Sequence, residues 1–586
     1  MGIDANQAAN AHLTTPTRLT GSEILWATLV GEGVDTVFGY PGGAILPAYD
    51  ALRKFPIRHV LVRHEQGAAH MADGYSRASG KVGVAIATSG PGATNLITGI
   101  ATAMLDSIPL VCITGNVSSK VLGTDAFQEV DITGVTLPVT KHNFLVSRAE
   151  DLAGALRHAF QIARSGRPGP VLVDITKDAQ QATAIFDFEA AKPKPYRPHP
   201  MLKVEDAGLA HAAELIRNAK RPVILAGHGV SESGAMEQVR TLAERAQIPV
   251  ALTLLGLGNF PASHPLNMGM MGMHGEAWVN DAIQEADLLI ACGMRFDDRV
   301  IGTPSTYALK AKKIHIEIDP AEINKNVKVD VALVGDLRAV LEDLLPRIAG
   351  RDGSAWLKTI EASKGAVAVR DIKNLPDSGH LYAAHVMHDL WRITGGNAVV
   401  VTDVGQHQMW EAQYFHHEQP RTLITSGGLG TMGFALPAAI GAKMACPEKE
   451  VWVVAGDGGF QMTAAELSTI VQEKLNINIA IINNGYLGMV RQWQEFFYER
   501  NYEATPLVSP DFVKLADAHG IPGRAVRTRG EVAAAVEEAR AAKGAFLLNF
   551  LVEKEDSVYP MIPAGSALHE MIRRPSKDPL EETAHD

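Results

Sequence analysis

The sequence predicts an α/β protein built from three doubly wound parallel-sheet domains. Short apolar runs of strand length, such as "VGVAIATSG" and "ADLLIACG", alternate with helical patterns, which favours parallel sheets covered by helices. Proline-rich and polar stretches interrupt this alternation at two places. The length of 586 residues is sufficient for several domains of ordinary size.

The two interruptions divide the chain into the predicted domains. The stretch "AAKPKPYRPHP" is rich in proline and lysine and cannot form a helix or a central strand, so it is predicted to be a linker. The predicted segments are a flexible N-terminus at 1–18, a first domain at 19–187, a linker at 188–203, a central domain at 204–348, a connector at 349–379, a third domain at 380–563 and a tail at 564–586.

The composition argues against several classes of protein. The net charge is −11 and no long basic run appears, which does not favour nucleic acid as a partner. The three cysteines are far apart and form no CxxC pair, which is not typical of a disulfide framework or a zinc site. No apolar run reaches membrane-spanning length and the N-terminus has no apolar signal core, so we expect no membrane segment and a cytoplasmic location.

The first and third domains contain similar stretches. "VAIATSGPGATNLITGIATAMLDSIPLVCITGN" and "VWVVAGDGGFQMTAAELSTIVQEKLNINIAIINN" both run from a strand through Gly-x-Gly and a helix to a second strand that ends in asparagine. Any two βαβ units share some of this pattern, so it leaves chance similarity open. The third domain carries Asp457 where the first carries Pro91. This difference predicts two related sheets, of which only the third holds a metal.

Asp457 and Asn484 each follow an apolar run, "VWVVAG" and "INIAII". Neighbouring parallel strands end side by side, so the two residues are expected to meet at one edge of a sheet. Both offer oxygen ligands to a hard cation, and Gly458 and Gly459 would let a phosphate approach the backbone. The alternative is an aspartate that caps a helix and an asparagine in a turn.

Glu65 lies in "VRHEQGAAHMADGYSRASG", between a predicted strand and a helix of small residues. A glutamate at a helix N-terminus most often only stabilises the helix dipole. A carboxylate in this place can also serve in acid–base chemistry. The residues alone leave these two interpretations open.

The Gly-Asp-Gly and Asn-Asn spacing resembles the diphosphate motif of thiamine diphosphate enzymes. The resemblance implies that Mg²⁺ is held by Asp457, Asn484, the carbonyl of Tyr486 and two diphosphate oxygens. It also implies that Glu65 hydrogen-bonds N1′ of the aminopyrimidine ring and favours its imino tautomer. In this family the cofactor bridges the first domain of one subunit and the third domain of another, which implies a homodimer or homotetramer.

Further stretches resemble the acetohydroxyacid synthase family, among them "FGYPGGAILPAYDAL", "GTDAFQE", "RFDDRV", "VGQHQMW", "GGLGTMGFALPAAIG" and "GMVRQWQEFFYE". The resemblance implies an enzyme that decarboxylates pyruvate and joins the two-carbon unit to pyruvate or 2-oxobutyrate. The products would be 2-acetolactate and 2-aceto-2-hydroxybutyrate, which begin branched-chain amino acid biosynthesis. A small regulatory subunit is a usual partner in this family.

The same resemblance assigns roles to individual residues. Gln406 and His407 would contact the diphosphate, and Met432 would support the bent cofactor. The residues expected at the reacting centre and substrate entrance of the first domain are Gly43, Phe127, Gln128 and Lys177. Arg295 would contact the substrate by binding the ketoacid carboxylate through two hydrogen bonds. Met489 and Trp493 would shape the pocket for the second ketoacid. Met432 and Trp493 could instead be ordinary core residues.

The central domain lacks both the Gly-Asp-Gly motif and the glutamate. Its stretch "GHGVSESG" does not fully match the dinucleotide fingerprint GxGxxG, so the residues alone give weak support for a dinucleotide. The family resemblance implies FAD, which takes no net part in the reaction. The residues that would contact it are Arg167, Gly227, Gly229, His274, Gly275, Arg295, Glu317 and Asp336.

Two other interpretations remain at this point. The first is another thiamine diphosphate enzyme: pyruvate oxidase, sulfoacetaldehyde acetyltransferase, glyoxylate carboligase or a FAD-free catabolic acetolactate synthase. Glyoxylate carboligase has an apolar residue where this chain has Glu65, and "RFDDRV" with "RQWQ" favours the biosynthetic enzyme over the rest. The second is a non-catalytic nucleotide-binding protein on the same fold, which would not need Glu65.

Overall fold

The computed structural model describes residues 15–193, 204–364 and 379–574. Most of the predicted N-terminal segment and linker, and parts of the connector and tail, lie outside these ranges. Among the described residues, no helix combines the length and the apolar composition needed to cross a membrane.

The first domain contains a six-stranded parallel sheet and a short antiparallel pair, β1 with β8. The sheet has the strand order β3-β2-β4-β5-β7-β6. The strands are β1 (Thr17–Thr20), β2 (Thr36–Gly39), β3 (Arg58–Leu61), β4 (Gly83–Ala87), β5 (Leu110–Asn116), β6 (His142–Val146), β7 (Pro170–Thr176) and β8 (Thr183–Phe186). The α-helices span Gly21–Gly31, Leu46–Leu52, Glu65–Ser79, Pro91–Asn95, Ile97–Asp106, Ile132–Thr136, Ala149–Arg164 and Lys177–Gln181.

The central sheet has the order β11-β10-β9-β12-β13-β14, which is the 3-2-1-4-5-6 order of dinucleotide-binding folds. The strands are β9 (Pro222–Ala226), β10 (Val250–Leu252), β11 (Asn267–Met270), β12 (Leu288–Cys292), β13 (Lys312–Glu317) and β14 (Val331–Val334). The α-helices span Asp206–Asn218, Gly229–Glu232, Met236–Ala246, Ala277–Glu285, Asp298–Ile301, Leu337–Leu344 and Ser354–Lys364. The predicted Rossmann-like fold of this domain is confirmed.

The third sheet has the order β16-β15-β17-β18-β20-β19. When strands are numbered within each six-stranded sheet, starting at β2 and at β15, both sheets have the order 2-1-3-4-6-5, which confirms that the two domains are related. The strands are β15 (Val399–Thr402), β16 (Leu423–Thr425), β17 (Val451–Gly456), β18 (Asn478–Asn483), β19 (Gly523–Val526) and β20 (Phe546–Leu551). The α-helices span Ala383–Thr394, Gln406–Tyr414, Ala435–Ala445, Asp457–Thr463, Leu467–Gln472, Gly488–Phe497, Phe512–Ala518 and Arg529–Ala541.

The first and third domains pack through two helices, Glu65–Ser79 and Ala435–Ala445, whose buried residues belong to one apolar cluster. Small side chains permit a close approach of the backbones. A Cβ atom on Gly74 would lie 2.0 Å from the carbonyl oxygen of Ala438. Since a side chain there would collide with backbone, the helix that begins at Glu65 is held in fixed relation to the third domain.

Three segments that were predicted to lie outside the domains contain ordered residues. β1 begins at Thr17, inside the segment predicted to be flexible. The predicted connector contains the helix Ser354–Lys364, where Trp356 is buried and donates its Nε1–H to the carbonyl of Pro222 over 3.1 Å. In the predicted tail, Leu568 is buried in the central domain. Apolar side chains in these segments gain by burial against the neighbouring domain, which explains their order.

Candidate active site

Asp457 and Asn484 lie at the ends of two neighbouring strands. β17 and β18 are parallel, with Gly456 opposite Ile482, so the residues that follow them come together at the carboxyl edge of the sheet. The helix Asp457–Thr463 begins directly after β17, and Asn484 directly follows β18. The predicted convergence of an acid and an amide is therefore present in the fold.

The carboxylate of Asp457 is buried. Burial raises its pKa, while hydrogen bonds from Ser509 and from backbone amides, that of Asn484 among them, act in the opposite direction. Ser509 Oγ donates to Asp457 Oδ2 over 2.9 Å. A buried carboxylate is costly in its charged form unless a cation or further donors compensate the charge. The site is therefore suited to a cation beside Asp457.

Gln406 and His407 contact the ends of the same two strands. Asn484 Nδ2 donates to Gln406 Oε1 over 3.2 Å, and the backbone N–H of Gly456 donates to His407 Nε2 over 3.2 Å. Burial lowers the pKa of His407 to about 3, so the ring is neutral at pH 7. The backbone N–H of Tyr486 donates to Asn484 Oδ1 over 3.1 Å, which fixes the turn after β18. Four predicted contacts of the diphosphate and metal thus lie together at the ends of β17 and β18.

Neighbouring side chains pack closely against the two glycines that follow Asp457. A Cβ atom on Gly458 would lie 2.8 Å from a methyl carbon of Leu487 and 3.6 Å from Cε of Met432. A Cβ atom on Gly459 would lie 2.2 Å from Asp403 Oδ1. Leu487 and Asp403 therefore pack so closely against these two positions that only glycine fits. The start of the helix Asp457–Thr463, with its backbone N–H groups and the donors around them, forms a cradle that suits a diphosphate and its Mg²⁺.

Glu65 opens the helix Glu65–Ser79 directly after the loop that follows β3. Asn95 Nδ2 donates to Glu65 Oε2 over 2.9 Å. On the other oxygen, a Cβ atom placed on Gly92 would lie 3.3 Å from Glu65 Oε1 and 2.8 Å from the methyl of Thr88. The carboxylate is thus held beside the ends of β3 and β4, with one oxygen directed by an amide.

The other first-domain candidates lie around this carboxylate at different degrees of exposure. Gly43 is exposed and follows Gly42, whose Cβ atom would lie 2.5 Å from the Thr88 side chain. Gln128 adopts a left-handed backbone with φ of 60° and approaches Gly90 closely. Phe127 beside it is 88% exposed. The structure therefore brings Gly43 and Gln128 to the Glu65 region and leaves the Phe127 ring in solvent.

The structure gives no contact between Lys177 and the other first-domain candidates among the described residues. Lys177 begins a short helix after β7, and its backbone N–H donates to the carbonyl of Val117 over 3.4 Å. Its side chain is exposed. Its expected role at the substrate entrance remains a prediction.

A cavity of about 1440 Å³ lies between the three domains. Its wall includes predicted FAD contacts and predicted substrate contacts, so the two sets share one space. Neither Glu65 nor Asp457 lines it in the described chain. The predicted residues that line it are Arg167, Gly229, His274, Arg295, Glu317, Asp336, Met432, Met489 and Trp493.

The cavity reaches the point where the strand order of the central sheet reverses. This point lies between the neighbouring strands β9 and β12. The loops after β9 and β12 touch there: a Cβ atom on Gly227 would lie 2.4 Å from the carbonyl of Gly293, and one on Gly229 would lie 2.7 Å from its Cα atom. Dinucleotides bind at this kind of switch point. Gly227 and Gly229 are therefore required by close packing of the loops beneath the cavity.

Polar side chains of the cavity wall are held in place by neighbours. Burial raises the pKa of Glu317 to about 7, although the carboxylate accepts the backbone N–H groups of Ile318 and Asp319. Arg167 donates to Glu322 Oε1 over 2.9 Å. His228 lines the cavity, and its buried Nε2 lies 3.5 Å from Glu232 Oε1. Glu317, His228 and Glu232 are therefore polar groups that the wall presents to a ligand.

The motifs did not single out several residues that contact the predicted ones. Asn95, Thr88 and Ser509 are the clearest cases. Asn95 ends the short helix that begins within "SGPG" and is 30 positions from Glu65. Ser509 approaches Asp457 from a loop 52 positions away. Sequence spacing carries no signal for such distant contacts.

Comparison with known proteins assigns the class. Three family profiles match: the N-terminal thiamine pyrophosphate (TPP)-binding domain of thiamine pyrophosphate enzymes at residues 19–135, their central domain at 209–344 and their C-terminal TPP-binding domain at 403–550. Thiamine pyrophosphate is the same compound as thiamine diphosphate. The fold and the cradle around Asp457 thus define a thiamine diphosphate-dependent enzyme.

Similar proteins narrow the assignment. The acetolactate synthase large subunit of Mycobacterium tuberculosis is 48% identical over 566 residues, which cover 94% of this chain and 91% of that protein. That of Corynebacterium glutamicum is 48% identical over 577 residues, covering 96% and 91%. A probable acetolactate synthase large subunit of Methanocaldococcus jannaschii is 45% identical over 571 residues, covering 95% of each. The chain belongs to the acetolactate synthase large-subunit family.

Proposed function

We propose that this protein is a thiamine diphosphate-dependent carboligase. It decarboxylates pyruvate and transfers the two-carbon unit to a second 2-ketoacid, giving 2-acetolactate from pyruvate and 2-aceto-2-hydroxybutyrate from 2-oxobutyrate. The observation that carries the proposal is the meeting of Asp457, Asn484 and Gln406 at one sheet edge in a chain that also holds Glu65 at a helix start. The family assignment does not favour the other thiamine diphosphate enzymes considered above.

The third domain would form the part of the site that binds Mg²⁺ and the diphosphate. Asp457, Asn484 and the carbonyl of Tyr486 would bind Mg²⁺, which prefers an octahedron of oxygens shared with phosphate groups. Gln406 and neutral His407 would donate hydrogen bonds to the diphosphate oxygens. Because these groups are held by hydrogen bonds to each other and to Gly456, they need little reordering when the cofactor binds.

The first domain would form the part of the site that contacts the aminopyrimidine ring and the reacting atoms. When bound, thiamine diphosphate would supply a thiazolium ring that accepts the electron pair released by decarboxylation. Glu65 would hold a proton at N1′ of the aminopyrimidine ring, and Asn95 keeps that carboxylate directed. Arg295 would bind the carboxylate of the incoming ketoacid. Met489 and Trp493 line the cavity at the third domain and would contact the acceptor side chain.

FAD is proposed as a second bound cofactor. The support is the 3-2-1-4-5-6 sheet, the cavity of about 1440 Å³ at its switch point and the carboxylate of Glu317 in the wall. The cavity is larger than the 300–1,000 Å³ typical of small-molecule sites, as a dinucleotide requires. The residues proposed to contact FAD are Arg167, Gly227, Gly229, His274, Gly275, Arg295, Glu317 and Asp336.

The proposed assembly is a homodimer or a dimer of dimers, with each cofactor between two chains. Phe127 and Leu46 are exposed apolar residues beside the Glu65 region, at 88% and 57% exposure. Such side chains are typical of surfaces that a partner covers. A small regulatory subunit and a cytoplasmic location remain predictions.

The test is an assay of the purified protein with pyruvate. Acidification converts acetolactate to acetoin, which gives a colour reaction. We expect colour only when thiamine diphosphate and Mg²⁺ are both present, and a flavin absorption band in the purified protein. Consumption of pyruvate without acetoin, or formation of acetyl phosphate, would assign the chain to another thiamine diphosphate enzyme.

A further inference from the structure

Glu466 joins the two catalytic domains next to Glu65. It ends the short 3₁₀ turn Ala464–Glu466 that follows the helix Asp457–Thr463. Its side chain is 1% exposed and crosses to the first domain. There Oε1 accepts the backbone N–H groups of Arg63, at 2.9 Å, and His64, at 3.1 Å. These are the two amides that immediately precede Glu65 in the chain.

The second carboxylate oxygen is also engaged. Thr469 Oγ1 donates to Glu466 Oε2 over 2.6 Å. Gly67 lies against the same carboxylate, because a Cβ atom there would be 2.5 Å from Oε1 and 3.1 Å from the carboxyl carbon. Glu466 is therefore fixed by three hydrogen bonds and by close packing against the first turn of the helix Glu65–Ser79.

We propose that Glu466 is a positioning residue, which sets the place of Glu65 by holding the backbone amides of Arg63 and His64 from the opposite domain. The claim about turnover rests on the proposed function, in which Glu65 acts on the cofactor. Asn95 directs the Glu65 carboxylate, whereas Glu466 holds the backbone that carries it. The two supports act on different parts of the same residue.

The physical basis is local. The Arg63 and His64 amides lie where the chain turns from β3 into the helix, and unsatisfied N–H groups at a helix start are stabilised by a carboxylate. If the carboxylate is removed, the two N–H groups lose the oxygen that accepts both of them, and the turn can shift. A displacement of about 1 Å in a reacting group can slow an enzyme by about 100-fold.

The first test measures hydrogen exchange in the cofactor-free protein. Glu466→Ala should make the backbone N–H groups of Arg63 and His64 exchange at least about tenfold faster, since a lost hydrogen bond of about 1.4 kcal/mol is a tenfold change. Glu466→Gln keeps an oxygen acceptor and should restore protection. Glu411→Ala is the matched control: Glu411 is a fully buried glutamate of the third domain that pairs with His417, and its loss should leave these amides protected.

The second test measures turnover. Glu466→Ala should lower kcat by about 10–100-fold with little change in KM for pyruvate, and Glu466→Gln should recover most of it. In the Glu65→Gln background, Glu466→Ala should cause little further loss, because coupled residues are not additive. A full additional loss in that background, or an unchanged kcat in a Glu466→Ala variant that has lost amide protection, would overturn the proposal.

Gly67→Ala covers the case in which Glu466→Ala does not fold. It keeps the carboxylate but displaces it, and alanine is otherwise favourable inside a helix. The same faster exchange and lower kcat are expected, and wild-type values for both would contradict the proposal. If the wild-type protein makes no acetolactate, the proposed function fails, while hydrogen exchange still decides whether Glu466 holds the two amides.

Discussion

The side-chain amide of Asn95 donates a hydrogen bond to Oε2 of Glu65 over 2.9 Å. The two residues lie on different helices of the first domain, Pro91–Asn95 and Glu65–Ser79. A glutamate that only capped its helix would not need a side-chain donor from another element. The contact therefore favours a directed carboxylate over a simple cap.

Glu65→Gln should leave the fold intact and lower kcat by roughly 10²–10⁴-fold, the range for losing general acid–base assistance. The amide can still hydrogen-bond, but it cannot hold and release a proton in the same way. The measurement is turnover with pyruvate at saturating thiamine diphosphate. Glu531→Gln is the control, since Glu531 is an exposed carboxylate in a capping box of a remote helix. If kcat falls by the same small factor in both variants, Glu65 only caps its helix and has no role in turnover.

Asp457→Ala should abolish activity at ordinary Mg²⁺ and thiamine diphosphate concentrations. The variant removes one of only two proposed side-chain ligands, which leaves the diphosphate charge poorly neutralised. Calorimetric titration with thiamine diphosphate and Mg²⁺ measures the loss of affinity. Asp511→Ala serves as control because Asp511 caps the helix Phe512–Ala518. Unchanged affinity in Asp457→Ala would place the metal elsewhere.

Trp493→Leu should lose most of any preference for 2-oxobutyrate while still forming acetolactate. Trp493 is partly exposed, lines the cavity and packs edge-on against Phe497. One methylene group in an apolar pocket is worth about 1–3 kcal/mol, or about 10–200-fold in selectivity. The measurement is the product ratio with both ketoacids in competition.

The control for Trp493 is Trp452→Leu in the core of the third domain, where Trp452 is fully buried. Truncation of a core tryptophan costs about 3–5 kcal/mol of stability and should reduce both products alike. If Trp493→Leu behaves in the same way, with an unchanged product ratio and a lower melting temperature, Trp493 has no role in selecting the acceptor.

The stability of the protein should depend on the protonation of Asp174. Burial raises the pKa of Asp174 to about 6 in the folded protein, against about 3.9 when unfolded. The folded state therefore binds this proton more tightly than the unfolded state. The stability that the bound proton adds is fully present below pH of about 4 and is lost as pH rises through about 6. The change is about 3 kcal/mol in the free energy of unfolding.

Asp174→Asn should remove that slope. Denaturant unfolding of both proteins between pH 4 and 7 provides the measurement. The difference in unfolding free energy between variant and wild type should shift in favour of the variant as pH rises. A difference that stays constant over this range would show that folding does not raise the pKa of Asp174.

The sequence allowed much of the fold to be predicted because its strands are continuous apolar runs that end in glycine-containing motifs. The register that brings Asp457 to Asn484 follows from parallel strands alone. The contacts of Ser509, Asn95 and Glu466 could not be predicted, since each joins residues that are remote in sequence and ordinary in type. The order of the connector around Trp356 was also missed, because a polar composition concealed a single buried side chain.

We propose that Glu65 of one chain and Asp457 of another serve one thiamine diphosphate. The most direct test of this shared site is a doubly tagged hetero-dimer of a Glu65→Gln chain and an Asp457→Ala chain, assayed for acetolactate. One of the two sites then carries both wild-type residues, so about half of the wild-type activity is expected although each variant alone is inactive. An inactive hetero-dimer that is folded and dimeric would contradict a site shared between chains.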